Sequence, residues 1–273
     1  MKKINQILGA VAFSFAMIAC TTNPITGRQS LQFANNQEIS AMALQQYKET
    51  LSKSKVISGT TASKSIQNVG LRIKNAANNY YKSIGREGDL TNYQWEFNLI
   101  DDKQVNAWCM PGGKVAFYTG ILPICKDDAG IAAVMGHEVA HALANHGQQR
   151  MSAGLLQQIG AVGTQIAVGN KSAETQALAM QAYGAASQVG GMLPFSRAHE
   201  SEADMIGLTL MAIAGYDPIN AVKVWERMSA QSGGQAQPEI LSTHPSNQTR
   251  INELTALLPQ AKAEAAKFGV TFK

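Results

Sequence analysis

The sequence predicts an α+β, mostly helical protein, with one small antiparallel sheet directly ahead of a helix carrying His137-Glu138-Val139-Ala140-His141. Two observations set that class. Apolar residues recur at helical spacing through most of the chain. The period drops to two only between about Trp95 and Gly120, where short alternating runs predict strands. A third observation fixes the centre: two histidines four residues apart on one helix share a face, with a glutamate beside them.

The elements follow in order. Residues 1–19, MKKINQILGAVAFSFAMIA, combine Lys2 and Lys3, an apolar run and small residues ahead of Cys20, the composition of an export signal rather than of a folded element. The run is too short for an ordinary membrane-spanning helix. Its ending, Met17-Ile18-Ala19-Cys20, resembles a bacterial lipoprotein signal with Met17 in place of the usual leucine, and makes Cys20 the lipid-bearing residue. Cleavage by the ordinary signal peptidase is the other outcome. Residues 20–35 then read as a polar tether with Pro24 and Gly27, and residues 36–273 as the domain proper.

Composition bounds what that domain does. A hydrophobic fraction of 45% suits a globular chain and excludes global disorder. The formal charge of +4 falls to about +2 without Lys2 and Lys3, and the basic residues are scattered, so a nucleic-acid partner is excluded. Cys109 and Cys125 flank a predicted strand without metal-site spacing. In an oxidising compartment they pair, or they stay as buried thiols.

Helices are predicted from about Asn36 to Ser54 and again through Ile66, Val69, Leu71, Ile73 and Ala77, with a Ser/Thr/Gly-rich break between them. Trp95, Phe97 and Leu99 alternate as a half-buried strand; VNAWCM and KVAFYTG follow as two more around the turn Pro111-Gly112-Gly113. Val115, Ala116, Phe117 and Tyr118 form either core or an exposed edge that pairs with an extended peptide. Asp127 or Asp128 caps the HEVAH helix. From Ser152 to Met192 the chain is rich in Ala, Gly and Gln. That stretch is too polar for a membrane span and predicts a helical hairpin.

A second constellation lies at SRAHESEADMIGLTLMAIAGYDP, a helix from about Ser196 to Ala214 stopped by Gly215. Glu200 and Asp204, four apart, share one of its faces. A catalytic zinc takes three protein ligands and leaves one position open. His137, His141 and Glu200 make such a set, with Glu138 placed as base for the bound water. Asp204, one turn on, can accept a hydrogen bond from the far ring nitrogen of a histidine ligand. Glu202 points roughly to the opposite side, as a helix-surface or ion-pair residue.

HEVAH followed by ESEAD, with PGGKVAFYTG before them and STHPSNQTR after, resembles the zinc metallopeptidases that include the CAAX prenyl proteases and the HtpX, Oma and BepA/LoiP types. NPITGRQSL resembles the start of their lipoprotein members. The resemblance covers nearly all the mature chain and implies a gluzincin-like fold. It also implies one Zn2+ per chain on His137, His141 and Glu200, with Glu138 as acid/base. For the aspartate matching Asp204 it implies proton donation, which the spacing does not separate from an orienting role. Unlike the prenyl proteases and HtpX, this chain shows no membrane spans around the site, so it resembles the lipid-anchored branch.

Of the remaining histidines, His244 sits on a loop, as a fourth ligand, a transition-state group or a surface residue. His146, five past His141, falls off the metal face and is expected in solvent. His199 is expected to be structural. Arg197 and Arg250 orient carboxylates, bind substrate or form ordinary ion pairs. The reading is a zinc endopeptidase acting on misfolded or mislocalised envelope polypeptides, exported and lipid-anchored at the periplasmic side of an outer membrane. The alternative is a non-proteolytic zinc-bearing chaperone or assembly factor.

Overall fold

The computed structural model describes residues 20–31, 33, 36–231, 240, 244 and 248–272. The expected export segment, residues 1–19, lies outside them. The described residues form two compact units, one of residues within 20–36 and 145–199, the other of residues within 37–144 and 200–272.

The larger unit is built around the sheet and the HEVAH helix. Helix α1 (Asn36–Lys53) lays Tyr47 on the sheet, where its hydroxyl accepts a 2.7 Å hydrogen bond from Asn98 and its ring meets Trp108 edge-on. Strand β3 (Val56–Ile57) leads to α2 (Thr61–Ser83), which opens on Thr60 accepting from the Ser63 amide. Ile66, Val69, Ile73 and Ala77 form its buried stripe, as their spacing predicts.

Strands β4 (Glu96–Ile100), β5 (Ala107–Met110) and β6 (Lys114–Tyr118) complete a four-stranded sheet of order β3-β4-β6-β5. The sheet is mixed rather than antiparallel throughout, because β4 and β6 run parallel. A tight turn joins β5 to β6, with Gly112 and Gly113 both at positive φ, and the resulting hairpin inserts β6 beside β4. This corrects the edge-strand expectation for Val115, Ala116, Phe117 and Tyr118. Strand β6 has a ladder partner on either side, and Val115, Ala116 and Phe117 are fully buried. The edge is β5, which packs against the HEVAH helix.

A short helix, α3 (Leu122–Cys125), precedes the HEVAH helix α4 (Asp128–Leu143). Asp127 caps α4 through a 2.8 Å bond from the Gly130 amide. Every residue from Gly130 to Leu143 is buried, so α4 is the axis of the unit. Cys109 and Cys125 are free thiols, and burial pushes the Cys125 thiol up to about 12. Asn145, at φ 56, ends the continuous helix expected through His146.

The smaller unit starts with a two-stranded ribbon, β1 (Cys20–Thr22) against β2 (Gln29–Leu31), where a loose tether was expected. Asn23 Oδ1 turns the chain by accepting from the Ile25 and Thr26 amides. Helices α5 (His146–Val168) and α6 (Ala173–Ser187) form the expected hairpin, closed by Gly160 against the Tyr183 ring and by the Tyr183 hydroxyl donating to the Gln157 carbonyl. His146 is buried, not solvated; its ring stacks on His199 at 4.0 Å, and His199 meets Gln149 at 2.9 Å. Among the described residues no helix is long and apolar enough to cross a membrane.

Helix α7 (Leu193–Ile213) carries the second constellation, with its residues from Glu200 onward in the larger unit. Gly215 at φ 83 stops it, and α8 (Ile219–Gln231) and α9 (Gln248–Ala266) follow. Helices α4 and α7 touch at a pair of glycines. A Cβ on Gly136 would stand 2.8 Å from the Gly207 carbonyl oxygen, and one on Gly207 would stand 2.9 Å from the His137 amide nitrogen. Backbone on both sides leaves nothing flexible to yield. Gly207→Ala is therefore expected to cost about 1–3 kcal/mol through overpacking. Urea unfolding should show that loss together with weaker metal retention, because the ligand-bearing helices are forced apart.

Candidate metal centre

The contact between α4 and α7 sets two ligand-bearing faces against each other. His137 and His141 lie one turn apart on α4, with their Nε2 atoms 3.1 Å apart. Glu200 reaches across from α7, with Oε2 3.3 Å from His137 Nε2 and Oε1 3.4 Å from His141 Nε2. His244 Nδ1 stands 2.9 Å from both Glu200 oxygens and 3.3 Å from His137 Nε2. Tetrahedral ligands at zinc-like bond lengths of about 2.0–2.1 Å stand roughly 3.3 Å from one another. One ligand atom from each of His137, His141, Glu200 and His244 lies within 4.8 Å of the others, close enough to share a single ion.

Charge points the same way. Glu138, Glu200 and Asp204 bring three carboxylates to the centre, and Arg250 faces them with one guanidinium. The carboxylates outnumber the guanidinium, a balance that suits a bound cation. Burial alone disfavours a proton on His137, but hydrogen bonds to Asp204 and Glu200 override it and hold its pKa up at about 9. Burial would likewise raise Glu200, yet hydrogen bonds from His137 and His244 hold it well below the usual carboxylate range. Such a negative potential suits a cation at the shared face of these side chains.

Glu138 behaves differently from its neighbours. Burial raises its pKa despite the opposing pull of His244 and His137. Its Oε1 is buried without a hydrogen-bond partner, 3.6 Å from His244 Nε2. An unsatisfied carboxylate oxygen in a buried site is costly unless a ligand or water completes it. It lies next to His137 in the chain, within 3.6 Å of His244.

Asp204 sits behind the histidines rather than among the ligand atoms. Its Oδ1 accepts from His137 Nδ1 at 2.9 Å, which would leave Nε2 as the lone-pair nitrogen for an ion once the second ring proton is displaced. Arg250 grips the same carboxylate with Nη2 at 2.7 Å and Nε at 2.8 Å, and reaches Glu200 Oε2 with Nη1 at 3.1 Å. Burial would raise Asp204, but the Arg250 charge and the His137 hydrogen bond lower it. The guanidinium lies 3.6 Å over the Trp225 ring, and that ring meets His137 edge-on.

Arg250 and Trp225 thus form part of the centre, although sequence reasoning left Arg250 open and did not single out Trp225. The one available signal was the position of Arg250 six residues after His244 in the STHPSNQTR run. Glu202, expected on the surface, is buried. Strand β6 contributes its core, not a free edge, and Arg197 is exposed.

A histidine pair and a carboxylate from a second helix, backed by an aspartate–arginine fork, define an HExxH-type metal centre. The chain belongs to peptidase family M48, whose model matches residues 71–258. Mitochondrial metalloendopeptidase OMA1 of Schizosaccharomyces pombe is 38% identical over 184 residues, covering 67% of this chain and 52% of that protein. Its namesake in Saccharomyces cerevisiae is 35% identical over 206 residues, covering 72% and 56%. The beta-barrel assembly-enhancing protease of Escherichia coli is 30% identical over 165 residues, covering 58% and 33%. The chain thus spans about half the length of the yeast relatives.

Arg250→Lys is expected to keep the charge but lose the fork. Metal affinity should fall roughly 10–100-fold, as for other groups that hold a ligand in place. Competition with a chromogenic chelator reads the loss, and Arg250→Ala should also destabilise the fold by about 3–5 kcal/mol by leaving Asp204 uncompensated.

Proposed function

We propose that this protein is a zinc-dependent endopeptidase whose general base is Glu138. The observation that carries the reading is the convergence of the His137, His141 and Glu200 ligand atoms within 4.8 Å of one another, beside a buried, unsatisfied Glu138 oxygen. Two imidazoles and a carboxylate are a donor set that favours zinc. Bound there, zinc supplies a Lewis acid that polarises a carbonyl and makes water acidic near pH 7. Glu138 takes the water proton and passes it to the leaving amine. Asp204 holds the His137 tautomer, and Arg250 holds Asp204.

An extended polypeptide substrate fits the free side of β5, since that strand is the sheet edge beside α4. His244 Nδ1 stands 2.9 Å from both Glu200 oxygens, among the residues that would hold the ion, so there it would compete with the attacking water. The likeness to the beta-barrel assembly-enhancing protease of E. coli and the composition of residues 1–20 support a place in a bacterial envelope. There the chain would be lipidated on Cys20 and act on misfolded or mislocalised polypeptides.

The test compares the parent protein with Glu138→Gln on an unfolded protein substrate. Zinc content, measured by mass spectrometry, is expected to be unchanged while cleavage falls by about 10²–10⁴-fold. Undiminished cleavage by a contaminant-free Glu138→Gln preparation overturns the role of Glu138, and binding without cleavage by the parent favours a chaperone. His244→Ala is expected to raise turnover at unchanged zinc content. A fall in kcat would instead make His244 a group that assists the transition state.

A further inference from the structure

Helix α5 carries an apolar face that the peptidase centre does not use. Met151, Leu155, Ile159, Val162 and Ile166 are between 48% and 75% exposed. At 100° per residue they fall within an arc of about 80°, and from Met151 to Ile166 the stripe runs roughly 23 Å. The hairpin partner does not cover it. Helix α6 packs against the other side of α5, through Gly160 against Tyr183 and through a 2.9 Å bond from Gln157 to Ser187.

The charges of the unit are mostly positive. Within residues 20–36 and 145–199 the cations are Arg28, Arg150, Lys171 and Arg197, against the single acid Glu174. No charge interrupts residues 151–170, and exposed Arg150 and Lys171 stand at the two ends of that stretch. An aliphatic stripe bounded by cations suits the boundary between anionic headgroups and acyl chains. Neither an aromatic anchor nor an arginine lies within the stripe, as protein hot spots favour, and no flanking charge pattern sets a helix partner's register. The ribbon strand that begins at Cys20 belongs to the same unit, directly after the apolar segment 1–19.

We infer that the exposed face of α5 seats the smaller unit on an anionic lipid surface, lying in the interface rather than crossing it. This contact is separate from any acyl chain on Cys20 and does not depend on the peptidase reading.

The experiment uses the chain from residue 20 onward with Cys20→Ser, so that no acyl group contributes. Vesicles of phosphatidylethanolamine with phosphatidylglycerol are compared with vesicles of phosphatidylcholine. Cosedimentation with the anionic vesicles is expected, reduced at least several-fold by high salt. The combined variant Leu155→Gln, Ile159→Gln and Ile166→Gln is expected to lose binding while keeping its helical circular dichroism, zinc content and cleavage of a soluble unfolded substrate. Three results overturn the inference. They are no binding by the parent protein, undiminished binding by the folded triple variant, or a parent dimer that ignores vesicles and that the triple variant dissociates, which would assign the face to a second copy.

Discussion

The centre depends on one buried carboxylate. Asp204 accepts from His137 on one side and from the Arg250 fork on the other, so it is stabilised as an anion in a place where burial alone would protonate it. That anion sets the His137 tautomer, and the tautomer decides which nitrogen faces the ion. The same arginine touches Glu200, so a single cation holds two acids of α7, Glu200 and Asp204, in place. Removing any one member leaves another charged and buried, which is why the arrangement behaves as a unit rather than as a sum of pairs.

Geometry of that kind needs the helices to approach closely, and the glycines at 136 and 207 let them. The sheet contributes differently. Strand β6 is consumed by its two neighbours and serves as core, while β5 remains one-sided next to α4. The hairpin at Gly112 and Gly113 therefore decides both which strand is buried and which is left to pair. Catalytic side chains and a pairing edge end up on adjacent elements of the larger unit.

The parts of this structure that were legible in the sequence are those carried by local periodicity. The helix with His137 and His141, the helix with Glu200 and Asp204, and the capping Asp127 each follow from spacing within one element. What spacing could not supply was pairing across the chain. Arg250 lies 46 residues from Asp204, and nothing local marks it as the partner. The strand pattern predicted three alternating runs but not their order, since a one-strand rearrangement keeps the same alternation while changing which strand is outermost. His146 looked solvated because the helix was taken as continuous; the left-handed turn at Asn145 redirects it into the stack with His199. The glycine contact was hidden for the same reason, as two glycines 71 positions apart carry no mutual signal.

The ribbon at the start of the described chain has a mechanical consequence. Sixteen residues, 20–35, would reach roughly 50 Å if drawn out as a flexible leash. Instead Cys20 pairs with Leu31, Arg28 donates to Gln149, and the Phe33 amide donates to Ser152, so the segment is folded back on α5. The backbone at Cys20 is thus fixed to its own unit, and a pull on that residue would reach α5 through a hydrogen-bonded ribbon rather than through loose chain.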